Sequence, residues 1–213
     1  MDKTVEVKKY TIYTIGHSTQ SQESFINLLK KYNITCVVDV RSTPYSQYAV
    51  QFNENEIKAA LESAGIVYIY MGKEFGARRE DAELYDSDNK LNFKKTAQCY
   101  EFLSGIERIR KGAQKGYNIA FMCTEKDPID CHRCILLGRE FNALDDFTVE
   151  NILISGDLVS QDDIAIKLLE MYFPDRNQIN ILEYMYNKIK TEDEYISEAY
   201  EKRAKEIAYQ IQG

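Results

Sequence analysis

The chemistry-bearing side chains of this chain fall in a few short runs. Cys123-Thr124-Glu125 and, a few residues on, Cys131-His132-Arg133-Cys134 bring together thiols, a carboxylate, an imidazole and a guanidinium. A thiol beside a cationic side chain, or in the first turn of a helix, ionises more readily and becomes a nucleophile. His132 and Glu125 are of the types that move protons. Gly16-His17-Ser18 adds the second of only two histidines in the chain. Asp39-Val40-Arg41 adds a fork suited to a planar oxyanion such as phosphate or carboxylate, and Arg78 adds further positive charge.

Each group also has an ordinary role. His17 can be a turn histidine bonded to backbone, and Asp39 can cap the loop that follows it. Cys123 closes an apolar run, where a thiol is usually inert packing. Glu125 can hold Arg133 or Arg41 as a fixed ion pair. His132, next to Cys131 on a helix, faces another direction and can point into the sheet. Cys123, Cys131, His132 and Cys134 are of the kind zinc uses. Cys131 with Cys134 is only half of a paired-cysteine pattern, so no metal or other cofactor is expected.

Regular elements must position these groups. Residues 9–15, 35–40, 66–70, 117–122 and 147–154 are rich in apolar, β-branched or aromatic residues and predict five strands. Helices are predicted over 22–32 with Ser21 as cap, over 54–64 between Asn53 and Gly65, and over 93–111, weakened at Gly105. Asp130 is expected to cap a helix over 131–142, placing Cys131 in its first turn. A further helix covers 160–172 and Pro174 stops it. Residues 71–92 lack a period and read as a long loop holding Gly72, Gly76, Arg78 and Arg79.

Strand and helix alternate throughout. The pattern predicts an α/β domain over 1–175: a Rossmann-like or flavodoxin-like five-stranded parallel sheet, order 3-2-1-4-5, with helices on both faces. Residues 176–213 read as a tyrosine-rich helical extension that packs on the domain or joins two copies as a homodimer. In such sheets the ligand lies outside the carboxyl ends of the strands. Every polar run named above falls at such an end.

In this order and spacing the motifs resemble one family. Tyr13-Thr14-Ile15-Gly16-His17-Ser18, Asp39-Val40-Arg41 with Pro44 and Ser46, Cys123-x-Glu125 and Cys131-His132-Arg133 are similar to the family called domain of unknown function 488. The likeness covers roughly residues 9–160 and implies a cytoplasmic α/β domain.

Composition narrows the classes. Hydrophobic residues make up 44%, enough for a sizeable core. No apolar run is long enough to span a membrane, and residues 1–9 are charged with no apolar stretch after them, unlike a secretory signal. A formal charge of −7 disfavours non-specific nucleic-acid binding, leaving only a local basic pocket for it. Five cysteines without a disulfide spacing suit a reducing cytoplasm. The expected protein is an enzyme acting on an anionic, phosphate-bearing or nucleotide-like substrate. His17, Cys123, Glu125, Cys131 and His132 are its expected catalytic groups. Gly16, Ser18, Asp39, Arg41, Ser46, Arg78 and Arg133 are its expected substrate-binding groups. The competing expectation is a non-catalytic sensor of a nucleotide or modified base in the same pocket.

Overall fold

The structure of the protein, a computed structural model, describes residues 9–176 and 190–211. The described residues form an α/β fold on a six-stranded, mostly parallel sheet. The strands are β1 (Tyr10–Gly16), β2 (Cys36–Asp39), β3 (Val67–Tyr70), β4 (Ile119–Cys123), β5 (Phe147–Ile152) and β6 (Leu158–Ser160). Every residue of β2 and β4 is buried, as continuous apolar strands at the centre of a parallel sheet must be.

The order is β3-β2-β4-β1-β5-β6, which corrects the expected 3-2-1-4-5. β4 enters between β2 and β1 and pairs with both in parallel. Strand–helix alternation dictates parallel crossovers, but not the slot into which a returning strand inserts. The sixth strand is short and antiparallel to β5. Gly156, with φ +86°, makes the turn before it.

Neighbouring strand residues point to opposite faces, and two cores follow. Val37, Ala120 and Met122 pack with α1 (Gln22–Lys31) and α2 (Glu54–Ser63) through Phe25, Leu29, Ile57 and Leu61. Val38 and Phe121 pack on the other side with Phe75, Phe102, Phe141 and Leu168. Ser21 caps α1 as expected by accepting from the Ser24 amide. The Asn53 side chain instead accepts from the Ser46 amide at 2.7 Å, so it ties down the preceding loop.

Three local expectations change. The 71–92 stretch contains a helical turn, α3 (Gly72–Phe75). The single helix over 93–111 is two, α4 (Phe93–Gln98) and α5 (Tyr100–Gln114), broken at Cys99 (φ −74°, ψ 156°) and not at Gly105. Gly105 lies within α5, where an added Cβ would come within 2.7 Å of the Phe75 ring. The helix over 131–142 is a π-helical segment (Arg133–Gly138) running into α6 (Arg139–Asn142).

Past α7 (Gln161–Tyr172), the expected extension is described only from residue 190; residues 177–189 lie outside the described part. Helix Glu192–Ile207 packs on α7 and buries Ala199 and Tyr200. The Tyr200 hydroxyl accepts from Gln161 Nε2 at 2.9 Å. Gln161 also bonds Asn151, and Asn151 accepts from Thr14, so the helix is joined to the sheet by a buried polar chain. Among the described residues no helix is long and apolar enough to cross a membrane.

Candidate functional site

β1 and β4 end level, with Gly16 opposite Cys123. Their pairing continues past the strands: His17 N donates to the Cys123 carbonyl at 2.9 Å and Ser18 N to the Thr124 carbonyl at 2.8 Å. Ser18 turns the chain away with φ +48°. A Cβ on Gly16 would lie 1.8 Å from the Glu125 carbonyl oxygen, so only glycine lets the β4 loop close over the end of β1. Asp39 stands opposite Met122 on the other side of β4. The carboxyl ends of β1, β2 and β4 thus bring His17, Asp39, Arg41, Cys123 and the Cys131–Arg133 run to one edge.

One half of this edge is a saturated polar network. Arg41 forks onto Asp39, Nε to Oδ1 at 2.8 Å and Nη2 to Oδ2 at 2.5 Å, with both side chains buried. The Arg41 amide and the Tyr68 hydroxyl also donate to that carboxylate, at 3.1 and 2.8 Å. Burial, then the Asp39 charge, pushes the Tyr68 phenol well up. Arg41 Nη1 meets His17 Nε2 at 3.1 Å, and His17 Nδ1 meets the Ser18 carbonyl at 2.8 Å. Arginine only donates and a carbonyl only accepts, which makes His17 neutral with its proton on Nδ1. Burial is the largest cause that lowers its pKa, to about 4, and the Arg41 charge adds to it. The ring stacks on Phe52 at 4.3 Å. Sequence reading missed Tyr68 and Phe52. The signal for Tyr68 was its two-residue spacing from Tyr70 on the strand beside Asp39.

The other half is a thiol cluster. Asp130 does not cap a helix here. Asp127 does the capping, accepting from the Ile129 amide at 3.1 Å over a 3-10 turn, Pro128–Asp130. Asp130 is 52% exposed and ion-pairs with Arg203 of the C-terminal helix. Cys131 is extended (φ −134°, ψ 139°) and its carbonyl accepts from the Cys134 and Ile135 amides. It therefore precedes the helix and is not within its first turn. His132 Nδ1 lies 3.8 Å from Cys123 Sγ and 3.9 Å from Cys131 Sγ. His132 Nε2 lies 3.2 Å from the Val40 carbonyl, so it carries the proton and Nδ1 presents a lone pair.

Burial alone would push the Cys131 thiol up. The hydrogen bond from Cys123 and the Arg133 charge more than offset this and hold Cys131 well below the ordinary thiol value. Cys123 is raised, first by its bond to Cys131 and then by burial, and keeps its proton. Arg133 is fully buried. It donates to the Glu125 carbonyl at 2.7 Å and the Lys126 carbonyl at 3.3 Å and hydrogen-bonds the Cys131 side chain, while its Nε has no hydrogen-bond partner among the described residues. No carboxylate among the described residues pairs with it.

The remaining expected residues lie at the margin. Glu125 gives Arg133 its carbonyl, not its carboxylate; that side chain makes no ion pair among the described residues, and partial desolvation followed by the Cys131 charge raises its pKa. The Ser46 hydroxyl accepts from the Tyr48 and Ala49 amides and stabilises its own loop. The Arg78 amide donates to Ser42 Oγ, beside Arg41, while its guanidinium lies on the Tyr209 ring. Cys134 turns away: its thiol bonds Gln161 Oε1, and burial pushes it up to about 12. A separate cleft of about 780 Å³ is lined by Asp88, Asn92, Arg139, Glu140 and Lys205 among others, but by none of these groups.

No curated protein and no solved structure matches the chain. The family model described as Domain of unknown function DUF488 matches residues 21–139. That span begins after His17 and holds Asp39, Arg41, Cys123, Glu125 and the Cys131-His132-Arg133 run. It is more than half of the 213 residues, and the chain belongs to the DUF488 family.

Proposed function

We propose that the protein is an enzyme that acts on an anionic, phosphate-bearing or nucleotide-like substrate through Cys131. One observation carries this reading: Arg133 is a buried guanidinium beside two thiols, with no carboxylate partner and with Nε–H unpaired. Its charge helps to hold Cys131 as the thiolate, and its unpaired Nε–H is a donor left for an anionic ligand group. In this reading Cys131 supplies the electron pair. The Cys123 S–H and the His132 ring are the adjacent proton carriers. Arg133 supplies the fixed positive charge at the edge, and the closed Arg41–Asp39–His17 network frames it. The reading needs no cofactor. A parallel-dominated sheet covered on both faces also suits a Rossmann-like nucleotide fold, with the ligand at the strands' carboxyl ends.

The sensor reading draws on a different observation. Arg41 is already bonded bidentately to Asp39, as a rigid binding frame would be and a free anion clamp would not.

Alkylation separates the two readings. Reduced protein is treated near pH 7 with limiting iodoacetate or iodoacetamide, and the five cysteines are followed by mass spectrometry. For the enzyme reading Cys131 labels first. The anionic reagent gains on the neutral one relative to free cysteine, and Arg133→Met removes that gain. An unlabelled Cys131 while Cys99 reacts overturns the enzyme reading in favour of the sensor.

A further inference from the structure

We propose that Cys123, Cys131 and His132 form a three-coordinate site for a soft monovalent cation of the copper(I) class. The inference goes beyond the catalytic reading and does not depend on it. The donor set comes first. Two sulfurs and one imidazole nitrogen, all buried, lie within 4.8 Å of one another. Soft thiolate donors with an imidazole select soft d10 ions.

The spacing comes second. Metal–sulfur and metal–nitrogen bonds of about 2.3 and 2.05 Å, at the 120° of a trigonal centre, set sulfur and nitrogen about 3.8 Å apart. The two sulfurs stand 3.8 and 3.9 Å from His132 Nδ1, close to the outer limit for a thiol–imidazole hydrogen bond and at the separation of donors sharing one ion. A tetrahedral angle would call for about 3.6 Å.

The outer shell comes third. His132 Nε2–H on the Val40 carbonyl orients the ring and leaves Nδ1 free to ligate, the arrangement that metal-binding histidines use. Cys134, the fourth group weighed for zinc, faces Gln161 and supplies no fourth donor.

Charge then selects the ion. Arg133 stays protonated in any protein setting. Two thiolates and a monovalent cation make a centre of charge −1, which Arg133 cancels. A divalent ion would leave a net positive charge buried, against the desolvation cost of an uncompensated ion. Glu125 is an exposed residue, and solvent screens its carboxylate from this centre. Binding balances as one cation taken up and the protons carried by the two thiols released to solvent.

The test uses the full chain, reduced and without oxygen, titrated against copper(I) held by the chromophoric chelator bicinchoninate. The protein should withdraw one equivalent. Cys123→Ser and Cys131→Ser should each weaken binding by more than about 100-fold, beyond the loss of an outer-shell partner. Cys134→Ser should leave it unchanged. X-ray absorption should show two sulfurs and one nitrogen. On the wild type, bound copper should protect Cys123 and Cys131 from iodoacetamide while Cys99 still labels, a readout that needs no variant to fold. Withdrawal of no copper, a Cys134→Ser loss as large as the others, or tighter binding of zinc than of copper(I) overturns the proposal. Labelling of Cys131 in metal-free protein tests the catalytic reading separately, so either can fail alone.

Discussion

Arg41 and Arg133 are buried guanidiniums at the same sheet edge, and they are partnered in different ways. Arg41 places its fork on a carboxylate, its amide on the same carboxylate and its remaining edge on a neutral histidine. Arg133 is given two carbonyls and the sulfurs of Cys131 and Cys123, and its Nε–H meets no partner among the described residues. The first half of the edge is complete within the fold. The second leaves one buried donor unused, and the proposed chemistry is placed there.

Methionine at each arginine position should show the difference most strongly. Arg41→Met strands Asp39, a fully buried carboxylate, with only Tyr68 and a backbone amide. Removing one member of such a pair costs about 3–5 kcal/mol. Arg133→Met removes a charge that has no carboxylate partner. It frees the Glu125 and Lys126 carbonyls and leaves Cys131 to take up a proton, where Asp39 would keep a stranded charge. Its cost should be smaller, about 1–2 kcal/mol. Urea unfolding of both variants at pH 7 reads this directly. Equal losses would mean that Arg133 is as internally paired as Arg41, and the contrast would be gone.

The pH dependence sharpens the same contrast from the saturated side. An unfolded histidine takes up its proton near pH 6.5, whereas folded His17 does so only near 4. Between these values the unfolded chain binds more protons. This contribution is therefore present in full above about pH 6.5 and is lost as pH falls through the window toward 4. From pH 7 to pH 5 it should remove about 2 kcal/mol. His17→Gln keeps polar atoms near Arg41 but has no proton to gain, so its drop over the same interval should be smaller by that amount. Denaturant midpoints at the two pH values supply the check. Identical drops would show that folded His17 accepts a proton and that the network is not closed.

The sequence marked the groups of the edge more reliably than their partners. His17, Asp39, Arg41, Cys123, Cys131 and Arg133 stand out because rare or charged residues follow apolar runs, and an α/β sheet gathers strand ends. The insertion of β4 between β2 and β1 was not legible, because either neighbour satisfies a parallel crossover. Nor was the sharing of Asp39 by Arg41 and Tyr68, which depends on the register of β3 against β2. Gly72 read as loop glycine, yet its role is to let α3 approach the Arg41 carbonyl, 2.3 Å from where a Cβ would sit. Asp130 offered a plausible helix cap by spacing alone. The 3-10 turn moved that duty to Asp127, and a residue of the distant C-terminal helix claimed Asp130.

This exchange of duties makes the smallest prediction. Asp127 accepts from the Ile129 amide and opens the turn that sets Cys131, whose own amide donates to the Pro128 carbonyl at 3.2 Å. Its surface contact with Lys167, at 3.7 Å between half-exposed groups, adds little. Asp127→Ala should therefore cost about 1 kcal/mol, as loss of a capping side chain does. Asp130 is half-exposed, and its partner Arg203 keeps the Ile129 carbonyl at 2.9 Å and Glu206 at 2.7 Å when the carboxylate is removed. Asp130→Ala should cost only a few tenths of a kcal/mol, as exposed pairs do. The thiol cluster should register the same order. Loosening the turn at Asp127 frees Cys131 from its closed position and should speed its alkylation, whereas Asp130→Ala should leave the labelling rate near that of the wild type. Paired urea curves and site-mapped labelling measure both effects. A larger loss at Asp130 on both readouts would return the cap to that residue and place Cys131 inside the first helical turn, where unpaired amides rather than Arg133 would hold its charge.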